Sequence, residues 1–333
     1  MKKVLCIAII ALLLVAPMFA NGTQEAASTG SGLTKIKVAH HMGYSGGAVV
    51  AIGLTNGYFE EEGLDVEPVP FTSGPSEVAA MVSGDLQFGY IGSGATTLAV
   101  KGDVEIIYFQ NLGDSEVIVV NKNSGIRSMQ DLKGKTIATT LGTSGENVVN
   151  LALQEAGMTQ NDVELINMDM GGCVTAILAD KVDAVCVWGS YLVTVKEQLG
   201  DNYYAIARTS DFADKYASVS SWLTTQDYID KNPDIVQRFA NAVAKCMDWW
   251  KDHEDETADL VADLIGSDSA TIRPQIGTVF FFNSEELKEN LANGNVRKYY
   301  ETQQENMIST GVISERVDID TYVKWEYMEN SIK

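Results

Sequence analysis

The sequence predicts an α/β fold in two lobes, each a mainly parallel sheet flanked by helices, with two crossover strands as a hinge. Three observations predict it. Short apolar runs of strand character alternate with helical stretches from Ile36 onward, the pattern of βα units on a largely parallel sheet. The alternation runs through once, pauses near residues 116–120, and restarts near residue 135. The chain is 333 residues long with 45% apolar and 21% charged residues, enough for about two domains with a sizeable core.

In chain order, the first set comprises strands at 36–39, 64–71, 86–91 and 104–109. Helices at 46–56, 75–83 and 95–101 separate them. An extended segment at 116–120 leads into the second set, with strands at 135–139, 163–168, 184–188 and 203–207. Its helices fall at 144–156, 173–179 and 191–199. A second extended segment, 219–224, returns the chain. From Gln226 onward helical patterns run to the C-terminus, one of them opened by Pro233 at its first turn. Lobe one is therefore read as residues 33–114 plus 223–333, and lobe two as residues 115–222.

Residues 1–20 are read apart from the fold. Lys2 and Lys3 precede the uninterrupted apolar run Val4 to Ala16, Pro17 ends it, and Ala20 offers a cleavage point. That is a signal-peptide pattern, and the run is short for a spanning helix, which needs about 20 residues. If uncleaved it would serve as an N-terminal membrane anchor. Residues 21–32, rich in Gly, Ser and Thr, read as a flexible tether. Export to a periplasmic or extracellular space permits disulfides. Cys173, Cys186 and Cys246 nevertheless show no framework spacing and are read as buried thiols, with Cys173–Cys186 the one pairing to test.

Charge excludes some partners. Against 24 basic residues stand 45 acidic ones, a formal charge of −21, which repels nucleic acid and anionic membrane surfaces. Three histidines leave little room for a multi-histidine metal site. His40 and His41 point to opposite faces of a strand, so they cannot readily share an ion. No metal and no cofactor is expected.

In open α/β sheets ligands bind beyond the carboxyl ends of the strands. Those ends carry His41, Met42, Tyr44 and Ser45, then Ser73, then Gly92-Ser93-Gly94, then Asn111. In the second set they carry Thr143-Ser144-Gly145-Glu146, and Trp188 with Tyr191. Gly, Ser and Thr just before a helix suit a small polar or anionic ligand, because first-turn N–H groups and the helix dipole favour negative charge. N-capping uses the same residue types. Tyr44, Trp188, Tyr191 and Trp222 would wall such a site. Two sharper motifs fall short. Gly92-Ser93-Gly94 begins a dinucleotide fingerprint, but Thr97 holds the third glycine position. Gly43-Tyr44-Ser45-Gly46-Gly47 fits a nucleophile elbow, yet only His253 follows it as a base. A secreted hydrolase using Ser45 is the enzyme alternative.

Several segments carry a family likeness: Asn56-Gly57-Tyr58-Phe59 through Gly63-Leu64-Asp65-Val66, Ser73-Gly74-Pro75, and Ser83-Gly84-Asp85-Leu86 through Ile91-Gly92. Ser128-Met129-Gln130-Asp131-Leu132-Lys133-Gly134-Lys135 and Val182-Asp183-Ala184-Val185-Cys186-Val187-Trp188 complete it. With these the chain resembles ABC-transporter solute-binding proteins of the nitrate/sulfonate/taurine family, which have the type II periplasmic binding fold. It looks most like the taurine and alkanesulfonate binders. The resemblance implies a non-enzymatic, monomeric protein that captures a small solute between two lobes and delivers it to a membrane permease. It also implies that Thr143, Ser144 and Gly145 donate to a sulfonate, with Ser73 and Ser93 helping from the other lobe. Where taurine binders carry an acid in the return crossover, this chain has Ser220 or a neighbour. Glu146 either starts its own helix or faces a cationic group. In the latter case the ligand would be a cationic or heterocyclic nitrogen compound such as a thiamin-type precursor.

Overall fold

The computed structural model describes residues 32–333, so the expected signal peptide, Cys6 and nearly all of the expected tether lie outside the described residues. Eleven strands are described: β1 (Thr34–His41), β2 (Leu64–Phe71), β3 (Gly89–Ile91), β4 (Glu105–Gly113), β5 (Val117–Asn121), β6 (Thr136–Thr139), β7 (Glu164–Asn167), β8 (Ala184–Val187), β9 (Tyr203–Arg208), β10 (Val219–Thr224) and β11 (Val279–Phe281). They form two sheets. β1 and β2 pair in parallel, and a bridge from Val38 to Phe88 ties them to β3. The first sheet therefore runs β2-β1-β3-β10-β4-β11, and the second runs β7-β6-β8-β5-β9.

The two orders are the same. Each sheet has its first strand beside its second and third, then one inserted strand, then its fourth. The inserted strand is the one that has just arrived from the other half: β10 in the first sheet, β5 in the second. Both run antiparallel to their neighbours. Each sheet is thus mainly parallel, as expected, apart from the inserted strand and the edge strand β11; a chain that crosses over and inserts beside an existing strand enters from the opposite end. β5 lies wholly in the second sheet and β10 wholly in the first.

The second sheet shows why its strands read as continuous apolar runs. Ile118 and Val120 enter one core, and Val117 and Val119 the other; Ala184 and Cys186 alternate with Val185 and Val187 in the same way. A strand buried on both faces needs no polar alternation. β11 departs from the expectation of helix to the C-terminus. Val279-Phe280-Phe281 is β-branched and aromatic, and it pairs with Gly113 to Asn111 at the edge of the first sheet. Cys173, Cys186 and Cys246 are free and buried, so the Cys173–Cys186 bridge is not formed. Burial pushes the Cys173 thiol up to about 12. Among the described residues no helix is long and apolar enough to cross a membrane.

Candidate functional site

Four helices begin where strands of the two sheets end: α1 (Tyr44–Thr55) after β1, α2 (Gly74–Val82) after β2, α3 (Ser144–Glu155) after β6, and α4 (Gly189–Leu199) after β8. The first turns of all four line one cavity of about 90 Å³. That is well below the roughly 300–1,000 Å³ of pockets for drug-sized ligands, so the occupant is small.

None of the four is capped by the side chain of its own N-cap residue, although Gly43, Ser73, Thr143 and Trp188 all sit in the extended conformation of an N-cap; in α1 the first N–H is met instead by the distant Gln275 side chain. The hydroxyls bond elsewhere: Thr143 donates to the Thr140 carbonyl, and Ser73 pairs with Ser76. The first intrahelical bonds are Gly47 N–H to Gly43 O and Asn147 N–H to Thr143 O. Ahead of them, the N–H groups of Ser45, Gly46, Ser144 and Gly145 have no acceptor among the described residues. By contrast, the helix Met170–Leu178, which starts off the cavity, is capped by Asp169. A helix start without a cap needs water or a ligand to satisfy its donors, and its dipole favours an anion.

The first half adds a polar wall held from behind. Ser45 Oγ donates to Asn111 Oδ1 at 2.8 Å and lies 2.8 Å from the Tyr90 hydroxyl. Gln110 Nε2 donates to Asn111 Oδ1 and to the Ser45 carbonyl, while Trp222 Nε1 donates to Gln110 Oε1 at 2.7 Å. His41 Nε2 meets Glu77 Oε2 at 2.8 Å. Glu77 is wholly buried, and that burial holds its carboxyl above the usual range despite the His41 contact. Burial likewise pushes the Tyr90 phenol up to about 12, so it stays neutral and can donate.

Of the residues predicted from sequence, His41, Met42, Tyr44, Ser73, Gly92, Asn111, Thr143, Ser144, Trp188, Tyr191 and Ser220 line the cavity. Five do not. Trp222 is buried behind Gln110. Ser93 is buried and bonds the Tyr216 and Ser218 hydroxyls. Gly94 abuts the backbone of Thr143, where an added Cβ would lie 2.0 Å from the carbonyl carbon. Gly145 is pressed between Thr139 and the Trp188 ring. Glu146 turns back on its own helix start: one carboxylate oxygen accepts from Gly142 N–H at 2.6 Å and the other from Gln160. It is therefore a helix-start acid and does not face the cavity.

Sequence reasoning missed several lining residues, Tyr90, Glu116 and Gln275 chief among them. Tyr90 lies inside a predicted strand. Glu116 sits at the start of the outward crossing, with its Oε2 accepting from Thr209 Oγ1 at 2.7 Å. Gln275 comes from a stretch read as helix, accepts from the first N–H of α1 and donates to Ser190. No local signal marks Gln275, because its role depends on two distant helix starts. His40, the neighbour of His41, is buried, and burial lowers its pKa.

With this geometry in place, the chain can be set beside known proteins. Residues 45–257 match the family described as NMT1/THI5 like. A protein of Brucella abortus (strain 2308), provisionally named a binding protein, is 30% identical over 88% of this chain and 91% of its own length. A protein of Bacillus subtilis (strain 168), provisionally named an aliphatic sulfonates-binding protein, is 28% identical over 100% of this chain and 98% of its own. In fold, the periplasmic aliphatic sulphonate binding protein SsuA of Escherichia coli superposes with a TM-score of 0.66 at 19% identity, covering 86% of this chain and 91% of that one. The two sheets of shared strand order, with helix starts meeting between them, are therefore those of the type II periplasmic binding fold, and the chain belongs to the NMT1/THI5 like family.

Proposed function

We propose that this protein is the solute-binding component of an ABC importer, and that it captures a small organic oxyanion, a sulfonate first among them, without turning it over. The observation that carries this reading is the convergence on one small cavity of four helix starts, none of them closed by its own N-cap side chain. A sulfonate has three acceptor oxygens, and free N–H groups at Ser45, Gly46 and Ser144, all in the lining, are the donors such a group needs. Among the described residues the cavity lining holds no lysine or arginine, so recognition rests on dipoles and hydrogen bonds. Thr143 and Ser144 approach from one side and Ser73 from the other.

Binding rather than hydrolysis is supported by Ser45. Its hydroxyl is engaged by Tyr90 and Asn111, and a serine nucleophile needs a basic partner such as histidine. His253, the base that an elbow would require, bonds the Trp249 carbonyl and stacks on that ring instead. The lobes are read as residues 33–114 plus 223–333 and residues 115–222, with β10, the return crossing, pairing with first-sheet strands. They close on the solute by hinge motion at the two crossings, as a monomer, after export by the N-terminal segment, and the closed form docks on a permease.

Thermal unfolding against a panel of small oxyanions tests this: ethanesulfonate, 2-aminoethanesulfonate, nitrate and sulfate. A ligand at 100 times its dissociation constant adds about 2.7 kcal/mol, which raises the midpoint by a few degrees. A rise with at least one sulfonate is expected. If no oxyanion moves the midpoint, the reading fails.

A further inference from the structure

His41 and Glu77 stand beside the cluster of free N–H groups as a pair. Glu77 is wholly buried, and His41 is its only ion-pair partner among the described residues, with Nε2 at 2.8 Å from Oε2. The other carboxyl oxygen, Oε1, is sealed from solvent without a hydrogen bond. His41 differs: it lines the cavity, and its Nδ1 has no protein partner yet is not sealed off. An added Cβ at Gly46 would lie 2.5 Å from the His41 Cβ, so the ring is rooted against the first turn of α1. A buried carboxyl needs a proton or a cation. Either its own Oε2–H donates to Nε2, or an imidazolium Nε2–H donates to the carboxylate. The first fixes His41 as the Nδ1–H tautomer, and the second protonates both ring nitrogens. In both, Nδ1 carries a hydrogen and the pair is neutral.

We propose that His41 donates from Nδ1–H to the anionic group of the solute, and that Glu77 is the positioning residue that keeps that hydrogen in place. Solute capture is then coupled to a proton, a refinement that rests on the oxyanion-binding role proposed above. When the pair loses one proton it becomes Glu77 carboxylate facing a neutral Nε2–H ring. Nδ1 then presents a lone pair, and a net negative charge stands beside the oxyanion. Affinity is therefore full at low pH and falls as pH rises through the value at which the pair deprotonates. The other titratable groups around His41 are its strand neighbour His40, Tyr90 of β3, whose ring meets the imidazole edge-on at 5.5 Å, Tyr44 of α1, Tyr191 of α4, and Glu116 of the outward crossing. Burial holds all three phenols above their ordinary values, so they stay neutral, and it disfavours charge on His40. Glu116 is common to wild type and the variants below, so its effect cancels between them.

Titration calorimetry from pH 5.5 to pH 8.0 tests this with ethanesulfonate, 2-aminoethanesulfonate, nitrate and sulfate, whose anionic groups keep their charge throughout. In wild type the affinity of the tightest binder is expected to fall at least about tenfold toward the alkaline end. Glu77→Gln, whose amide N–H still donates to Nε2, should hold its affinity level across the range. His41→Gln should bind more weakly than wild type at the acid end and be equally level. A pair with only a structural role would change the affinity by one factor at every pH and keep the wild-type slope. Wild-type affinity that does not fall, or a fall that survives in Glu77→Gln, overturns the role of the pair and leaves the importer reading standing. Long-range 1H–15N NMR of the three histidines gives a second measurement that needs neither variant nor solute. His41 should carry a hydrogen on Nδ1 at pH 6, and a neutral ring protonated only at Nε2 overturns the proposal. If none of the four oxyanions binds wild type at any pH, both the proposal and the oxyanion reading fail.

Discussion

The two halves of this molecule share a strand order but not a way of packing. The first sheet sits in one large core whose centre is aromatic. Phe88 stacks on Phe239 at 4.0 Å between ring centroids, and Trp222 meets Phe239 edge-on at 5.3 Å. The second sheet separates two smaller cores made chiefly of valine, isoleucine, leucine and alanine, with Phe212 and Tyr216 the buried aromatics. The shared order explains why helix starts meet from both sides: equivalent strands end at equivalent places. The difference explains what each side contributes. The aromatic half supports polar side chains from behind, as Trp222 does for Gln110, Asn111 and Ser45. The aliphatic half offers mainly backbone N–H groups and the faces of Trp188 and Tyr191.

The largest effect that would break this contrast is a pair of core truncations. Trp222→Ala should cost about 3–5 kcal/mol, as large aromatic deletions do, with a further loss from Gln110 Oε1, whose donor disappears. Val185→Ala, fully buried in the second half, should cost about 2 kcal/mol. Denaturant titration of both variants measures this. Only Trp222→Ala should also weaken solute binding, since it alone loosens the wall. Equal losses of stability, with binding untouched in both, would remove the distinction between a supporting half and an aliphatic one.

A smaller effect concerns the seam between the halves. Gly94 lies against the Thr143 backbone, and a methyl there has no room while the halves are together. Gly94→Ala is expected to weaken solute affinity at least about tenfold, or about 1.4 kcal/mol. The unliganded protein should keep its unfolding free energy, because opening relieves the clash. Calorimetry gives the first quantity and denaturation the second. Wild-type affinity in Gly94→Ala would mean that the halves need not approach this closely to hold a solute.

Much of this was legible in the sequence. The βα alternation placed nearly every strand within a few residues, because buried strands flanked by Gly, Ser and Asn are strong local signals. β3 proved shorter than expected, since 86–88 approach β1 with only one bridge. Eleven of the sixteen expected lining residues do line the cavity, most of them at or just past strand ends, because topology alone sends those ends to one place. What failed has a common cause. Gly94 and Gly145 are glycines for close packing rather than for ligand contact, Trp222 acts one layer back, and Glu146 serves its own helix. Gln275 reaches the cavity from far along the chain, and Glu116 from the first residues of the outward crossing. These roles depend on which distant backbone arrives beside a residue, and local pattern carries no information about that.

The smallest effect, and the sharpest on the comparison, is in pH. Both halves hold carboxylates that hydrogen bonds lower, such as Asp320 in the first and Asp162 in the second, but the first also holds a buried one that is raised. In the first, burial raises the folded-state pKa of Glu77. Folding is then coupled to proton uptake: the stability this group contributes is fully present below its unfolded value and is lost as pH rises through the folded one. In the second, backbone N–H groups lower Asp131 and Asp162, the first through Arg127 and Ser128, the second through Thr159. Their contribution is present above the unfolded value and is lost as pH falls through the lowered one. Unfolding free energy measured from pH 3 to pH 8 should therefore respond at different ends. Glu77→Gln should flatten the decline on the rising side, where the contact with His41 offsets only part of the burial cost. Asp162→Asn should flatten the decline at the acid end and leave the rising side alone. If Glu77→Gln instead altered only the acid end, its carboxyl would be held down by His41 rather than up by burial, and the polar wall of the first half would carry a buried ion pair in place of a shared proton.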